Sequence, residues 1–142
     1  MPEEGKRITY LTPEQSNAII KRAKERHREL YLFLRIGLST GMRMGEIFSI
    51  QIENLDIDNL RLYIPTGKTG SRSQPITLEL SEYLCLYIQS YCKPRQEWLF
   101  PSKKSKIDHR TSIRKAFQST IIAAELDPKK VVRHTMRHTV VS

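Results

Sequence analysis

The chain has 142 residues, 39% of them hydrophobic, and it carries 24 lysines and arginines against 15 acidic residues, for a net charge of +9. The hydrophobic fraction argues against wholesale disorder, and the length suits a single domain with its own core. The positive excess attracts polyanions, of which nucleic acid is the commonest and an anionic membrane surface the alternative.

Three helices are predicted in the first part of the chain. The Thr-Pro-Glu-Gln run that begins at Thr12 is typical of a capped helix start, which predicts a helix to about Arg28. A second, largely buried helix is predicted from residue 30 onward, ending near Gly41, a residue suited to a left-handed helix end. A third, short helix is expected over about 44–50.

The pattern then changes to that of strands. Apolar and polar residues alternate over 60–64, which predicts a half-buried strand, and a second strand is expected over 74–78. The intervening segment is rich in turn-forming residues. We therefore predict an antiparallel hairpin whose tip carries Lys68 and Arg72.

The remaining elements are again helical. Helices are predicted over 79–91, over 108–126 and from about His134 onward, with an apolar plug at 98–102 between the first two. No internal repeat or linker divides the chain, so a single domain is expected over 1–142. The predicted fold class is mainly α with a small antiparallel β-hairpin or sheet, an α+β arrangement.

No apolar run approaches the length of a membrane span, and the first residues lack the apolar core of a signal peptide. Cys85 and Cys92 would lie about 10 Å apart along one helix, which is too far for a disulfide. We therefore expect reduced thiols, a cytoplasmic location and no membrane partner.

Two arginines, a lysine and a histidine could form a phosphate-attacking site without a metal. Arg43 and Arg137 could neutralise charge on the non-bridging phosphate oxygens, because a guanidinium binds phosphate bidentately. Lys68 could protonate a leaving 5′-oxygen, and His134 is suited to proton transfer near neutral pH. The carboxylates are scattered, which does not favour a two-metal nuclease.

Each of these signals has a plainer interpretation. Arg43 follows a helix break and could form a surface ion pair with Glu46, and Lys68 could be an exposed turn lysine. His134 and His138 are four residues apart, which also suits zinc, but no third ligand is evident. No metal is therefore expected.

In order and spacing these segments resemble the catalytic domain of the tyrosine recombinase (phage integrase) family. Residues 40–47 resemble its first arginine box, and 68–76 resemble its lysine hairpin. Residues 98–101 resemble the segment before its last basic helices, and 134–139 resemble its His-x-x-Arg box. The resemblance covers nearly the whole chain.

The resemblance implies a set of roles. Arg43 and Arg137 would bind the scissile phosphate of double-stranded DNA, Lys68 would be the general acid, and His134 would be an acid–base residue. The family forms a covalent 3′-phosphotyrosyl link and needs neither metal nor nucleotide cofactor. The intact protein would assemble as a tetrameric synapse on DNA, in the cytoplasm and associated with the nucleoid, and its origin would be prokaryotic or phage.

Further residues would support this site. Glu46 would orient Arg43 or brace its helix, and His138 would pack behind the site. Four basic residues are expected to touch the DNA: Arg72, Lys103, Lys104 and Arg133. For the lysines of the loop, simple solvation is an equally good interpretation.

The sequence also departs from the family pattern. Arg133 and Met136 stand where proline and leucine are common, and all six tyrosines precede His134. The family's nucleophilic tyrosine is therefore missing, and so is its separate N-terminal core-binding domain. We expect a truncated catalytic domain that cannot cleave DNA unaided. The alternatives are a non-catalytic, regulatory or decayed integrase that only binds DNA, and a type IB topoisomerase.

Overall fold

The computed structural model describes residues 12–65, 70–102 and 108–126. The predictions for Lys68 in the hairpin tip, for the basic loop and for the last helix lie outside these ranges, whereas Arg72 is described and lies in a strand rather than at the tip. Within them the fold is mainly helical with one small antiparallel sheet, which confirms the predicted fold class. The elements are α1 (Pro13–Arg26), α2 (Arg28–Thr40), α3 (Met44–Phe48), a 3₁₀ turn (Ile52–Asn54), β1 (Leu55–Asp56), β2 (Arg61–Ile64), β3 (Arg72–Pro75), α4 (Leu78–Tyr91) and α5 (Arg114–Ala123).

The described residues divide into two compact units, one within Met1–Leu34 and Ile113–Ser142 and the other within Arg35–Ser112. The boundary at residue 34 falls within α2. None of the described helices is long and apolar enough to cross a membrane.

In the first unit, α1 packs against α5. The predicted capping box is present, since the Gln15 amide donates to Thr12 Oγ1 at 3.1 Å and the Thr12 amide to Gln15 Oε1 at 2.9 Å. The helix ends at Arg26, two residues earlier than predicted, because His27 takes an extended conformation. Fully buried apolar side chains, including Ile19 and Ile121, form the core of this unit.

The second unit contains the sheet, in the order β1-β2-β3 with both pairs antiparallel. In β2 the buried Leu62 and Ile64 alternate with the exposed Arg61 and Tyr63, as the sequence pattern predicts. The last strand was predicted too late, because pairing with β2 begins at Arg72.

The N-terminus of α4 explains where this strand stops. The Thr77 side chain accepts the Leu80 amide at 3.0 Å and so caps the helix, which begins at Leu78. A capped helix start and a continuing strand are incompatible at the same residues. The strand therefore ends at Pro75.

Phe48 and Phe100 are buried in the second unit, in edge-to-face contact with ring centroids 5.4 Å apart.

The predicted helix over 108–126 is shorter than expected at its start. Asp108 has a positive φ of 67°, and the Arg110 amide donates to the Phe100 carbonyl at 2.8 Å. This stretch thus pairs with the apolar plug, and α5 begins only at Arg114.

Candidate functional site

Arg43 is the residue immediately before α3, in a corner that several hydrogen bonds define. After α2, Gly41 adopts a left-handed φ of 73°, and its amide donates to the Gly37 carbonyl at 2.8 Å. The Met42 amide donates to Thr40 Oγ1 at 3.1 Å. Arg43 then takes an extended conformation as the residue before α3, and its side chain is exposed. The corner therefore fixes the backbone while leaving the guanidinium accessible.

The carboxylate of Glu46 lies directly behind this corner. Its Oε1 accepts the Arg43 backbone amide at 3.1 Å, which satisfies a donor at the start of α3. An arginine side chain has no acceptor, so only this half of a capping box can form. Glu46 is 8% exposed, which makes its charge a buried one.

Arg72 neutralises this buried charge. Its Nη1 donates to Glu46 Oε2 at 2.7 Å, and its Nη2 donates to Oε1 at 2.9 Å. This fork-to-fork arrangement is the strongest geometry for a guanidinium and a carboxylate. The surface ion pair between Arg43 and Glu46 that the sequence allowed is thus not what the structure shows. Glu46 pairs with Arg72 and takes the backbone amide of Arg43.

The pair shifts both ionisation equilibria. Hydrogen bonding to Arg72 holds the pKa of Glu46 below its usual value, and the Arg43 amide and the charges of both arginines act in the same direction. Burial opposes this effect but does not overcome it. The hydrogen bond to Glu46 likewise raises the pKa of Arg72. Both groups are therefore charged at neutral pH.

The sheet places Arg72 where it can reach Glu46. Arg72 pairs with the buried Ile64 across β2 and β3, at the end of the ladder nearest the hairpin turn. Arg61, at the other end of the ladder, is held differently, because its Nε and Nη2 donate to the hydroxyl and carbonyl oxygens of Ser73 at 2.6 and 2.7 Å. Arg61 thus contacts neutral oxygens, whereas Arg72 contacts a buried carboxylate.

Three of the predicted site residues are described, and hydrogen bonds through Glu46 join them: Arg43, Glu46 and Arg72. The others lie outside the described residues: Lys68, Lys103, Lys104, Arg133, His134, Arg137 and His138. Their assigned roles stay predictions.

Sequence reasoning missed the pairing of Glu46 with Arg72. Glu46 follows Arg43 by three residues, a spacing typical of a capping box. The pair itself joins residues 26 positions apart, and such a contact leaves no local pattern. The hairpin register was the one available signal, and the late placement of the last strand concealed it.

Comparison with known proteins relates the chain to one protein family at the level of both a family model and individual sequences. The family model described as the phage integrase family matches residues 9–142. A tyrosine recombinase of Pseudothermotoga lettingae is 29% identical over 140 residues, which is 97% of this chain and 48% of that protein. The chain thus spans about half the length of this curated relative.

Solved structures show the same fold. The Tn1549 transposon integrase, in complex with transposon right end DNA, superposes with a TM-score of 0.76 at 20% identity, over 99% of this chain and 54% of that one. The XerA recombinase superposes with a TM-score of 0.74 at 23% identity, over 98% of this chain and 50% of that one.

Proposed function

The chain belongs to the phage integrase family, and from this membership we propose that it is the catalytic-domain part of a site-specific tyrosine recombinase. Its partner is double-stranded DNA. In the whole protein the reaction transfers a phosphodiester through a 3′-phosphotyrosine, without metal or nucleotide cofactor. The whole protein acts as a tetrameric synapse on DNA in the cytoplasm.

The exposed guanidinium of Arg43 on a braced corner is the observation that carries this proposal. A phosphate ligand must be accessible to DNA and yet held in place, because charge stabilisation depends on donors that are already oriented. The backbone of Arg43 is fixed by Glu46, while its side chain is exposed. Arg43 therefore meets both requirements.

The other roles follow from family membership. Arg137 completes the clamp on the scissile phosphate, Lys68 protonates the leaving 5′-oxygen, and His134 transfers protons. His138 packs behind them. Three further basic residues contact the DNA backbone in this proposal: Lys103, Lys104 and Arg133.

No tyrosine follows His134 within these 142 residues. We therefore propose that the 142-residue polypeptide alone binds DNA but does not cleave it. A covalent protein–DNA adduct, detected on a denaturing gel after incubation with a nicked substrate, would contradict this part.

DNA binding is the direct test. Fluorescence anisotropy with a short labelled duplex should show binding that weakens steeply with salt, with a slope of log K against log [salt] of about −0.9 for each phosphate neutralised. Replacing Arg43 with lysine keeps the charge but loses the bidentate fork, so we expect affinity to fall roughly fivefold or more. The matched control is Arg22→Lys, because Arg22 is a half-exposed arginine paired locally with Glu25 on α1.

Two results would contradict the proposal. Binding that does not respond to salt would exclude phosphate contacts as its basis. Equal affinity of the Arg43 and Arg22 variants would exclude Arg43 as a specific phosphate ligand.

A further inference from the structure

The carboxylate of Glu46 joins two segments that the proposed chemistry needs together. One is the start of α3, which Arg43 immediately precedes, and the other is β3, which carries Arg72. Three donors converge on this carboxylate: the Arg43 amide at 3.1 Å and the two terminal nitrogens of Arg72 at 2.7 and 2.9 Å. Glu46 is thus bonded to the backbone of one segment and to the side chain of the other.

The pair between Arg72 and Glu46 matters because Arg72 directly follows the connection between β2 and β3. The connection between β2 and β3 runs from Pro65 to Ser71 and contains Lys68. On one side it is anchored by Ile64, which is buried in the core. On the other side it is followed at once by Arg72. The pair with Glu46 therefore fixes the second end of the connection to the segment that carries Arg43.

We infer that Arg72 is a positioning residue, which holds β3 against the first turn of α3 through Glu46 and so keeps Arg43 in position for a phosphate. This inference rests on the proposed function. It departs from the sequence-based expectation that Arg72 contacts DNA directly.

The geometry argues against Arg72 as a phosphate ligand. Its side chain is 37% exposed, whereas the carboxylate it binds is 8% exposed. A DNA phosphate that took the two nitrogens now bound to Glu46 would have to draw the guanidinium away from a buried negative charge. That charge would then keep only the Arg43 amide as a hydrogen-bond donor, and a buried charge without its partner is strongly unfavourable. We therefore expect Arg72 to stay on Glu46 when DNA binds.

The contact also requires arginine in particular. The two oxygens of Glu46 are each met by a separate terminal nitrogen of Arg72. A lysine ammonium is a point charge that cannot reproduce this planar fork. Arg72→Lys should therefore loosen the hairpin although the charge remains.

Arg61 supplies a matched control on the adjacent strand. It is also an arginine of the small sheet, but it donates to Ser73 and forms no ion pair with any described carboxylate. Arg61→Gln removes the same charge as Arg72→Gln and leaves Glu46 untouched. If the loss of DNA affinity depended only on net charge, it would be equal in Arg61→Gln and Arg72→Gln.

The test measures DNA affinity of the 142-residue chain in two backgrounds, at a temperature where circular dichroism shows every variant to be folded. Arg72→Gln is made in the unmodified chain and in Glu46→Gln. If Arg72 acts through Glu46, the substitution weakens binding by at least about threefold in the first background and has little further effect in the second, because residues of one network do not contribute additively. Arg61→Gln should weaken binding less.

A second readout follows the contact itself. The Arg43 amide donates to Glu46 Oε1, so its NMR chemical shift reports the ionisation of Glu46. Among the described residues, Arg43 and Arg72 are the charged groups that act on this carboxylate. In Arg72→Gln the titration of the Arg43 amide should move to higher pH, whereas in Arg61→Gln it should stay in place. The titration is read from the Arg43 amide signal of the folded state, which a loss of folding would remove.

The outcomes separate the two claims. If the unmodified chain does not bind DNA, the proposed function fails, and the inference that rests on it fails as well. If the chain binds but Arg72→Gln lowers affinity by the same factor in both backgrounds, Arg72 contacts phosphate directly and the inference alone is overturned. Equal effects of Arg72→Gln and Arg61→Gln would overturn it too.

Discussion

Replacing Arg72 with glutamine should destabilise the chain, since it removes the partner of a buried carboxylate. Breaking a buried pair costs about 3–5 kcal/mol. Arg72 is 37% exposed, so water can replace part of the interaction, and a value of about 2 kcal/mol is expected. At about 2.1 cal/mol/K of unfolding entropy per residue, this lowers the Tm by about 7 °C.

The destabilisation should also depend on pH. Arg72 lowers the pKa of Glu46 in the folded state. The stability that the pair contributes is therefore fully present above the unfolded-state pKa of the carboxyl group. It is lost as the pH falls through the lowered folded-state pKa. The difference between the unmodified chain and Arg72→Gln should thus be largest near neutral pH and shrink in acid.

Urea denaturation followed by circular dichroism at several pH values measures both effects. Arg61→Gln is the control, and its cost should stay below about 1 kcal/mol, because it loses only exposed hydrogen bonds to Ser73. In a double-mutant cycle, Arg72→Gln and Glu46→Gln should be coupled by at least about 0.5 kcal/mol. A destabilisation no larger than that of Arg61→Gln, or one that does not change with pH, would refute this reasoning.

Further predictions concern the framework around the site at four positions, and thermal or urea unfolding checks each of them. Gly41→Ala should destabilise the chain by about 1 kcal/mol, because Gly41 has a φ of 73° although open space surrounds it. Gly45→Ala, also in open space but without a positive φ, should be neutral or stabilising by up to about 1 kcal/mol, and equal signs for the two variants would contradict the backbone argument. Phe100→Ala should cost about 3–5 kcal/mol, because the ring is fully buried against Phe48; a cost below about 1 kcal/mol, typical of a surface position, would show that the ring is not packed there. Thr77→Ala should cost about 1 kcal/mol through loss of the cap on α4, while a Thr77→Ser variant that fails to retain most of that stability would argue against capping as the cause.

Helices and strands that are specified by residues close to them in sequence could be predicted from the sequence. The start of α1 follows from a capping box between Thr12 and Gln15, and β2 follows from alternation that buries Leu62 and Ile64. The patterns in both cases act within a few residues of the structure they specify. The family resemblance likewise depends on short boxes that can be compared directly.

Elements that depend on partners distant in sequence were misplaced. The stretch from Asp108 to Arg110 pairs with the apolar plug around Phe100, and the helical pattern around it gives no sign of this. The strand containing Arg72 was placed too late because its start is set by pairing with β2. The bond between Arg72 and Glu46 was missed for the same reason, since long-range contacts become visible only once the fold brings the segments together.

The central claim is that Arg43 binds the phosphate of a DNA substrate while Arg72 stays on Glu46. A crystal structure of the chain soaked with sulfate or phosphate tests this most directly. We expect an anion on the Arg43 guanidinium, shared with Lys68, His134 and Arg137, and an unchanged fork between Arg72 and Glu46. An anion bound by Arg72 in place of Glu46, or arginines and histidine that do not converge on one anion, would contradict the account.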